Sequence, residues 1–155
     1  MNIERLQRLH DLLVADAHNP KGVQFNLRSW AKPASVSTFY SLGTTVVTAD
    51  CGTQACALGL AAISGAFKDD GLSYKFTEDG LLLPTFTKNN KVLYQFVAGA
   101  NLFDIREATA TILFDPFSYD ETNLTGATAE LVVAGRIAQL IDQGEDKFMS
   151  PTPGR

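Results

Sequence analysis

Several residue types are scarce in this 155-residue chain, and each scarcity excludes a class of protein. Two cysteines cannot build the disulfide framework that holds small secreted domains together. Charged side chains are only 19% of the residues, which excludes a disordered tail or a charged coil. The longest nearly continuous apolar stretch, residues 55–67, is shorter than the roughly 20 residues that a membrane-spanning helix requires.

Basic residues are also in the minority. Thirteen Lys and Arg against seventeen Asp and Glu give a net charge of −4. An acidic surface argues against nucleic acid and membrane surfaces as partners, because both attract basic patches. The first residues, MNIERLQRLHDLL, show no apolar signal-peptide core. We therefore expect a cytoplasmic protein with both thiols reduced.

The remaining composition is that of a globular protein. Hydrophobic residues make up 45% of the chain, and its length predicts one domain. We expect this domain at residues 1–147, followed by a flexible tail at 148–155. Strand patterns lie in the middle of the sequence and helical patterns on both sides. This order predicts an α+β fold with four to five helices around a small antiparallel sheet.

The strand and first-helix patterns are clear. Apolar spacing predicts a helix at about 3–17, with Asn2 as its N-cap. Alternating residues predict a short strand after residue 22 and three more strands between 72 and 97. Pro84 predicts that its strand lies at a sheet edge or is irregular, because proline lacks a ladder N–H.

A second helix is predicted at about 51–67, with Asp50 at its N-cap position. This Ala- and Gly-rich segment is apolar almost all round, which is typical of a buried helix. Gly52 and Gly59 each cost roughly 1 kcal/mol relative to alanine in a helix interior. Close approach of another backbone is the expected compensation.

Helices are predicted again in the last third. Asp104 and Glu107 form a capping-box pattern. Thr125 is expected to cap a final helix at about 126–142, and Gly144 to follow its end. The predicted buried stripe of this helix comprises Leu131, Val132, Gly135, Ala138 and Ile141.

Three segments together resemble a known family. They are FNLRSW at 25–30, CGTQACALG at 51–59 and LFDIREATATILFDPFSY at 102–119. They are similar to small, mostly uncharacterised proteins of phages, prophages and bacteria that share F-N-x-x-x-W, C-G-T-x-x-C-x-x-G and a segment ending in L-F-D-P. The matching positions are Phe25, Asn26, Trp30, Cys51, Gly52, Thr53, Cys56, Gly59, Leu113, Phe114, Asp115 and Pro116. The resemblance implies a phage or mobile-element accessory protein in a bacterial host, and carries over no catalytic residue.

The start of the second helix is the candidate ligand site. Amides of a first helical turn lack intrahelical partners and carry partial positive charge, so they attract anions. Gly52, Thr53 and Gln54 would lie nearest the ligand. Arg28 and Trp30 would flank it as a cation and a flat apolar surface. Capping by Asp50 is the structural alternative, because it would occupy the same amides.

Cys51 supports a second hypothesis. A helix N-terminus lowers a thiol pKa, and His10 or His18 could act as the general base. Both histidines also have ordinary structural explanations on the first helix. Cys56 is expected in the core, and its spacing from Cys51 fits neither a disulfide nor a zinc site. The sequence therefore predicts no metal and no cofactor.

The leading functional prediction is a non-enzymatic accessory protein that binds a host protein or a small anionic, nucleotide-like ligand. One alternative is a Cys-dependent hydrolase or transferase that uses Cys51. Another is a structural or interaction module, including a homo-oligomer, in which Phe117 and Tyr119 form the contact.

Overall fold

A computed structural model describes residues 1–20, 22–32 and 53–149. These residues form an α+β fold, as predicted, with six α-helices and two three-stranded sheets. The helices are α1 (Ile3–His18), α2 (Ala57–Ser64), α3 (Gln95–Phe103), α4 (Glu107–Phe114), α5 (Gly126–Gln143) and α6 (Glu145–Met149). The strands are β1 (Val23–Phe25), β2 (Ala31–Lys32), β3 (Thr53–Ala55), β4 (Leu72–Phe76), β5 (Leu82–Lys88) and β6 (Lys91–Tyr94). Within the described part of the chain, no helix is both long enough and apolar enough to cross a membrane.

Helix α1 packs mainly along α5 and forms one side of the core. Its buried residues are Leu6, Leu9 and Leu13, which recur at helical spacing. The Asn2 side chain accepts a hydrogen bond from the Arg5 amide at 3.0 Å, which confirms the predicted N-cap. Because these three leucines are buried in the core, their burial stabilises α1 in addition to its N-cap.

Helix α2 is buried, as its composition predicts, but the prediction that residues 53–56 belong to this helix is wrong. Residues 53–55 form strand β3, which lies between parallel β1 and antiparallel β2. The helix begins only at Ala57, with Cys56 as its N-cap. The backbone groups of residues 53–55 pair with neighbouring strands, and they cannot also close helical turns. Residues 51 and 52 lie outside the described residues.

Gly59 is the point at which another backbone meets α2. A Cβ atom at this position would lie 1.3 Å from the carbonyl oxygen of Trp30. The Cys56 amide donates to the Ser29 carbonyl at 2.6 Å, immediately before the helix. The segment 29–31 therefore lies directly on α2, and the close approach expected from the glycine is confirmed.

The second sheet is antiparallel, with order β4-β5-β6. β5 as a whole is the central strand and not the predicted edge strand, although Pro84 itself has a partner strand on one side only. Pro84 pairs with Tyr74 of β4, whereas the pairing with β6 runs only from Thr85 to Lys88. Pro84 therefore lies beyond the β6 ladder, where its missing N–H is tolerated.

The buried face of α5 also differs from the predicted stripe. The buried residues are Ala129, Glu130, Val133, Ala134, Ile137 and Leu140. Leu131 and Val132, assigned to the core from sequence, are exposed. The helix packs on α1 through a face rotated by about one residue from the predicted stripe, and this rotation buries an acid, Glu130.

Glu145 replaces the predicted capping box of α4. Asp104 adopts a left-handed conformation (φ 52°) as the C-cap of α3, so it is not the N-cap of α4. Arg106 takes that position without a side-chain cap. Instead, Glu145 Oε1 accepts hydrogen bonds from the Arg106 amide at 2.8 Å and the Thr109 hydroxyl at 2.6 Å. An acid distant in sequence thus stabilises the start of α4.

We expect Gly59→Ala to destabilise the fold by at least about 2 kcal/mol, because either the helix or the 29–31 segment must move. Gly135→Ala is the matched control in α5, where an added Cβ meets no atom within 4 Å. This control should gain roughly 0.5–1 kcal/mol from its higher helix propensity. Urea unfolding measures both. Equal stability of Gly59→Ala and the wild type would contradict the close contact.

Candidate functional site

The structure separates the predicted ligand-binding residues into different environments. Thr53 is buried in β3. Gln54, in the same strand, accepts a hydrogen bond through Oε1 from the Asn26 amide group at 2.9 Å. Gly52 and Cys51 lie outside the described residues. The ligand-binding roles of Gly52, Thr53 and Gln54 therefore stay predictions.

The observed start of α2 is an interior feature. Cys56 Sγ accepts from the Gly59 amide at 3.4 Å, and residues 57–59 are buried. The first helical turn lies beneath the segment that contains Trp30. Since this start lies at Ala57 and is covered, its amides do not line a surface next to Arg28.

Arg28 and Trp30 do come together, in a cleft of about 330 Å³ that we call the Trp30 cleft. The residues that give it its chemical character are Arg28, Trp30, Gln95, Phe96, Asp115 and Phe117. Its walls join the 25–30 segment with the 114–117 segment, and α2 supports Trp30 through Gly59. Parts of the segments 25–30, 51–59 and 102–119 thus meet in or beside one cleft.

Aromatic rings and one guanidinium dominate the Trp30 cleft. The Trp30 and Phe96 rings meet edge to face with centroids 4.9 Å apart. Phe117 is 95% exposed at the rim. Its amide donates to Asp115 Oδ1 at 3.0 Å, which holds the short 3₁₀ turn that presents the ring. Arg28 is exposed, and its amide donates to Asn26 Oδ1 at 3.0 Å.

A buried tyrosine, Tyr119, anchors the segment that follows Phe117. The Tyr119 hydroxyl donates to the Leu113 carbonyl at 2.6 Å, and the Arg136 guanidinium lies 3.8 Å from the Tyr119 ring centroid. Arg136 also donates to the Ile112 carbonyl at 3.2 Å. Burial raises the pKa of Tyr119 to about 12. Tyr119, predicted as a surface contact, is instead a buried anchor for the end of α4.

The candidate catalytic residues are not gathered into a site by the described structure. His10 Nδ1 lies 2.9 Å from Asp11 Oδ1, and His18 Nδ1 lies 2.8 Å from the Val14 carbonyl, both on α1. Cys56 is buried, as expected, and burial raises the pKa of its thiol to about 11. Catalysis by Cys51 stays a prediction, since that residue lies outside the described ones. Among residues that are described, no group of three or more His, Cys, Asp and Glu could hold a metal.

One polar feature was missed from the sequence. Glu130 of α5 is only 2% exposed, and its Oε1 atom has no hydrogen-bond partner in the described structure. It lines a cleft of about 300 Å³ together with Asp16 of α1. Burial, followed by the charge and hydrogen bond of Asp16, raises the pKa of Glu130 to about 8. The apolar spacing of 129, 133, 137 and 140 could have placed position 130 on the buried face.

Comparison of the chain with protein-family models, curated proteins and solved structures finds no match. The resemblance to phage and bacterial proteins therefore stays a prediction.

The unfolding free energy should report the protonation of Glu130. Its folded pKa is raised above the ordinary value of 4.5, so the folded state holds more protons between about pH 4.5 and 8. Stability contributed by the protonated acid is present in acid and is lost as the pH rises toward 8. The loss is at most about 1.4 kcal/mol per pH unit. We expect Glu130→Gln to remove this pH dependence.

Urea unfolding at several pH values between 5 and 8 measures the effect. Glu107→Gln, a change at an exposed glutamate, is the control and should keep the wild-type slope. An identical slope in wild type and Glu130→Gln would show that Glu130 does not titrate in this range.

Cys56 should resist alkylation in the folded chain. In a Cys51→Ser variant, burial and the raised thiol pKa should leave Cys56 unmodified by iodoacetamide at about pH 8. Urea should make it reactive. Mass spectrometry measures the modification, and rapid labelling without urea would contradict the buried position.

Proposed function

We propose that the protein acts by binding, without catalysing a reaction, and that its ligand is a small flat anion of the nucleotide type. The observation that carries the proposal is that Arg28 and the rings of Trp30, Phe96 and Phe117 line one cleft. Its volume of about 330 Å³ falls within the range of small-molecule sites, roughly 300–1,000 Å³.

Each part of the ligand has a matching group. Aromatic faces and edges stabilise a flat heterocycle by stacking and T-shaped contacts. The Arg28 guanidinium suits a phosphate or carboxylate, because its N–H groups pair with two oxygens of such an anion. Asp115 disfavours an anion beside it and favours a ring N–H donor. We therefore place the anionic group at Arg28 and the ring at Trp30 and Phe117.

Binding of a partner protein is the second candidate, and the exposure of Phe117 favours it. An almost fully exposed phenylalanine beside Arg and Trp has the residue types enriched at protein interfaces. The family resemblance would make such a partner a host protein. Saturable binding of a small nucleotide separates the ligand proposal from this one.

Trp30 is the sole tryptophan of the chain, so its fluorescence reports directly on the cleft. We expect nucleoside monophosphates to quench this emission saturably, and the corresponding nucleosides to bind more weakly because they lack the anion. Arg28→Ala and Phe117→Ala should each weaken binding about tenfold or more, as is typical of a lost stacking or charged contact.

Both changes are at exposed side chains, so the fold should survive them. Val92→Ala, at an exposed apolar position of β6, is the control and should bind like the wild type. The proposal fails if no monophosphate changes the emission or the melting temperature at about 10 mM. It also fails if Arg28→Ala binds as tightly as the wild type.

A further inference from the structure

We propose that Asp16 and Glu130 form a second binding site, which takes a primary ammonium group carried on an apolar body. The site lies between α1 and α5 and does not include Arg28 or Trp30. It therefore does not depend on the ligand proposed for the Trp30 cleft.

Two adjoining clefts supply the shape of this site. The acid cleft, about 300 Å³, is lined by Asp16 and Glu130 with Val23 beside them. The apolar cleft, about 500 Å³, shares Asp16 and Val23 and is walled by Leu12, Leu60 and Ile63. A ligand with a charged head at the carboxyl pair would extend its apolar body along the larger cleft.

The unpartnered Oε1 atom of Glu130 favours a ligand that donates hydrogen bonds. An acceptor that is buried without a hydrogen bond loses the interaction it had with water, and this raises the free energy of the folded state. An ammonium group has three N–H donors, so one bound in the cleft could donate to the Glu130 and Asp16 carboxylates together. A divalent metal is a poorer fit, because the described residues bring no third carboxylate or other ionisable ligand to the pair.

Release of one proton would offset the charge that a bound monocation brings. With Glu130 protonated in the free protein, its O–H can donate to the Asp16 carboxylate, since burial and Asp16 raise the pKa of Glu130 to about 8. On binding, this proton leaves to solvent, and the resulting carboxylate accepts from the ammonium. The pair then holds two negative charges against one positive charge, so the net charge of the site stays at −1. No other charged residue lines either cleft in the part of the chain that is described.

The test uses the full chain and n-alkylammonium chlorides from ethyl to octyl, measured by isothermal titration calorimetry. Affinity should rise about three- to fourfold per methylene as the chain fills the apolar cleft. Hexylammonium should bind at least tenfold more tightly than hexanol or hexanoate. Below about pH 7, each bound ligand should release close to one proton, detected with buffers of different ionisation enthalpy. Affinity should increase about tenfold between pH 6 and 7.

Glu130→Gln keeps the shape of the protonated acid but cannot become an anion. We expect it to lose the proton release and at least tenfold in affinity. Asp16→Asn, at a half-buried position, is a second variant that should also weaken binding. Glu107→Gln is the control and should bind like the wild type.

Three results would overturn the proposal. Hexanol could bind as tightly as hexylammonium, which would show an apolar cleft alone. Folded Glu130→Gln could bind with unchanged affinity. Lys21 lies outside the described residues, so Lys21→Met is also measured. If this variant binds the amine and the wild type does not, the chain's own lysine occupies the pair.

Discussion

The contact between Gly59 and the Trp30 carbonyl is the constraint on which the rest of the architecture depends. Helix α2 is apolar all round and buried, so it must be covered on every side. On one side the cover is a backbone rather than side chains, and only glycine leaves room for it. The same segment continues into β2, which pairs with β3 at the start of α2. Because Gly59 has no side chain, the first sheet can pack against the core, and Trp30 is held in place.

The burial of α2 could be predicted from sequence because burial depends on composition. The residue at which α2 begins could not be predicted in this way. The three residues 53–55, Thr-Gln-Ala, are too few to show a periodicity that separates strand from helix. Residues 53–55 became a strand because β1 and β2 lie beside them, which is tertiary information. The cap of α4 was missed for the same reason. Glu145 is 38 residues from Glu107 in the sequence, and a capping-box pattern considers only neighbours.

The Trp30 cleft could be predicted only in part. Arg28 and Trp30 were selected as a cation beside a flat apolar ring, and that local chemistry does not depend on the fold. Their partners at 95–96 and 114–117 come from distant segments, and packing of α3 and α4 determines their position. Phe117 is presented by a 3₁₀ turn that Asp115 caps. The Asp-Pro pair predicted the helix stop, but not that Phe117 would line the same cleft as Trp30.

Glu130 was missed because Leu131 and Val132 were predicted to be buried, which put the predicted stripe on the wrong face of α5. An acid on the buried face of the main helix pair is costly, because desolvation penalises its ionised form. An apolar residue of similar size would pack between α1 and α5 without that cost. Structural necessity therefore does not account for Glu130. Glu130, whose Oε1 is buried without a hydrogen-bond partner, lines a cleft beside Asp16. Strongly shifted pKa values are frequent at functional sites, and this tendency supports the binding site that we propose at Asp16 and Glu130. The observed buried face of α5 differs from the predicted stripe, and this difference places Glu130 beside Asp16.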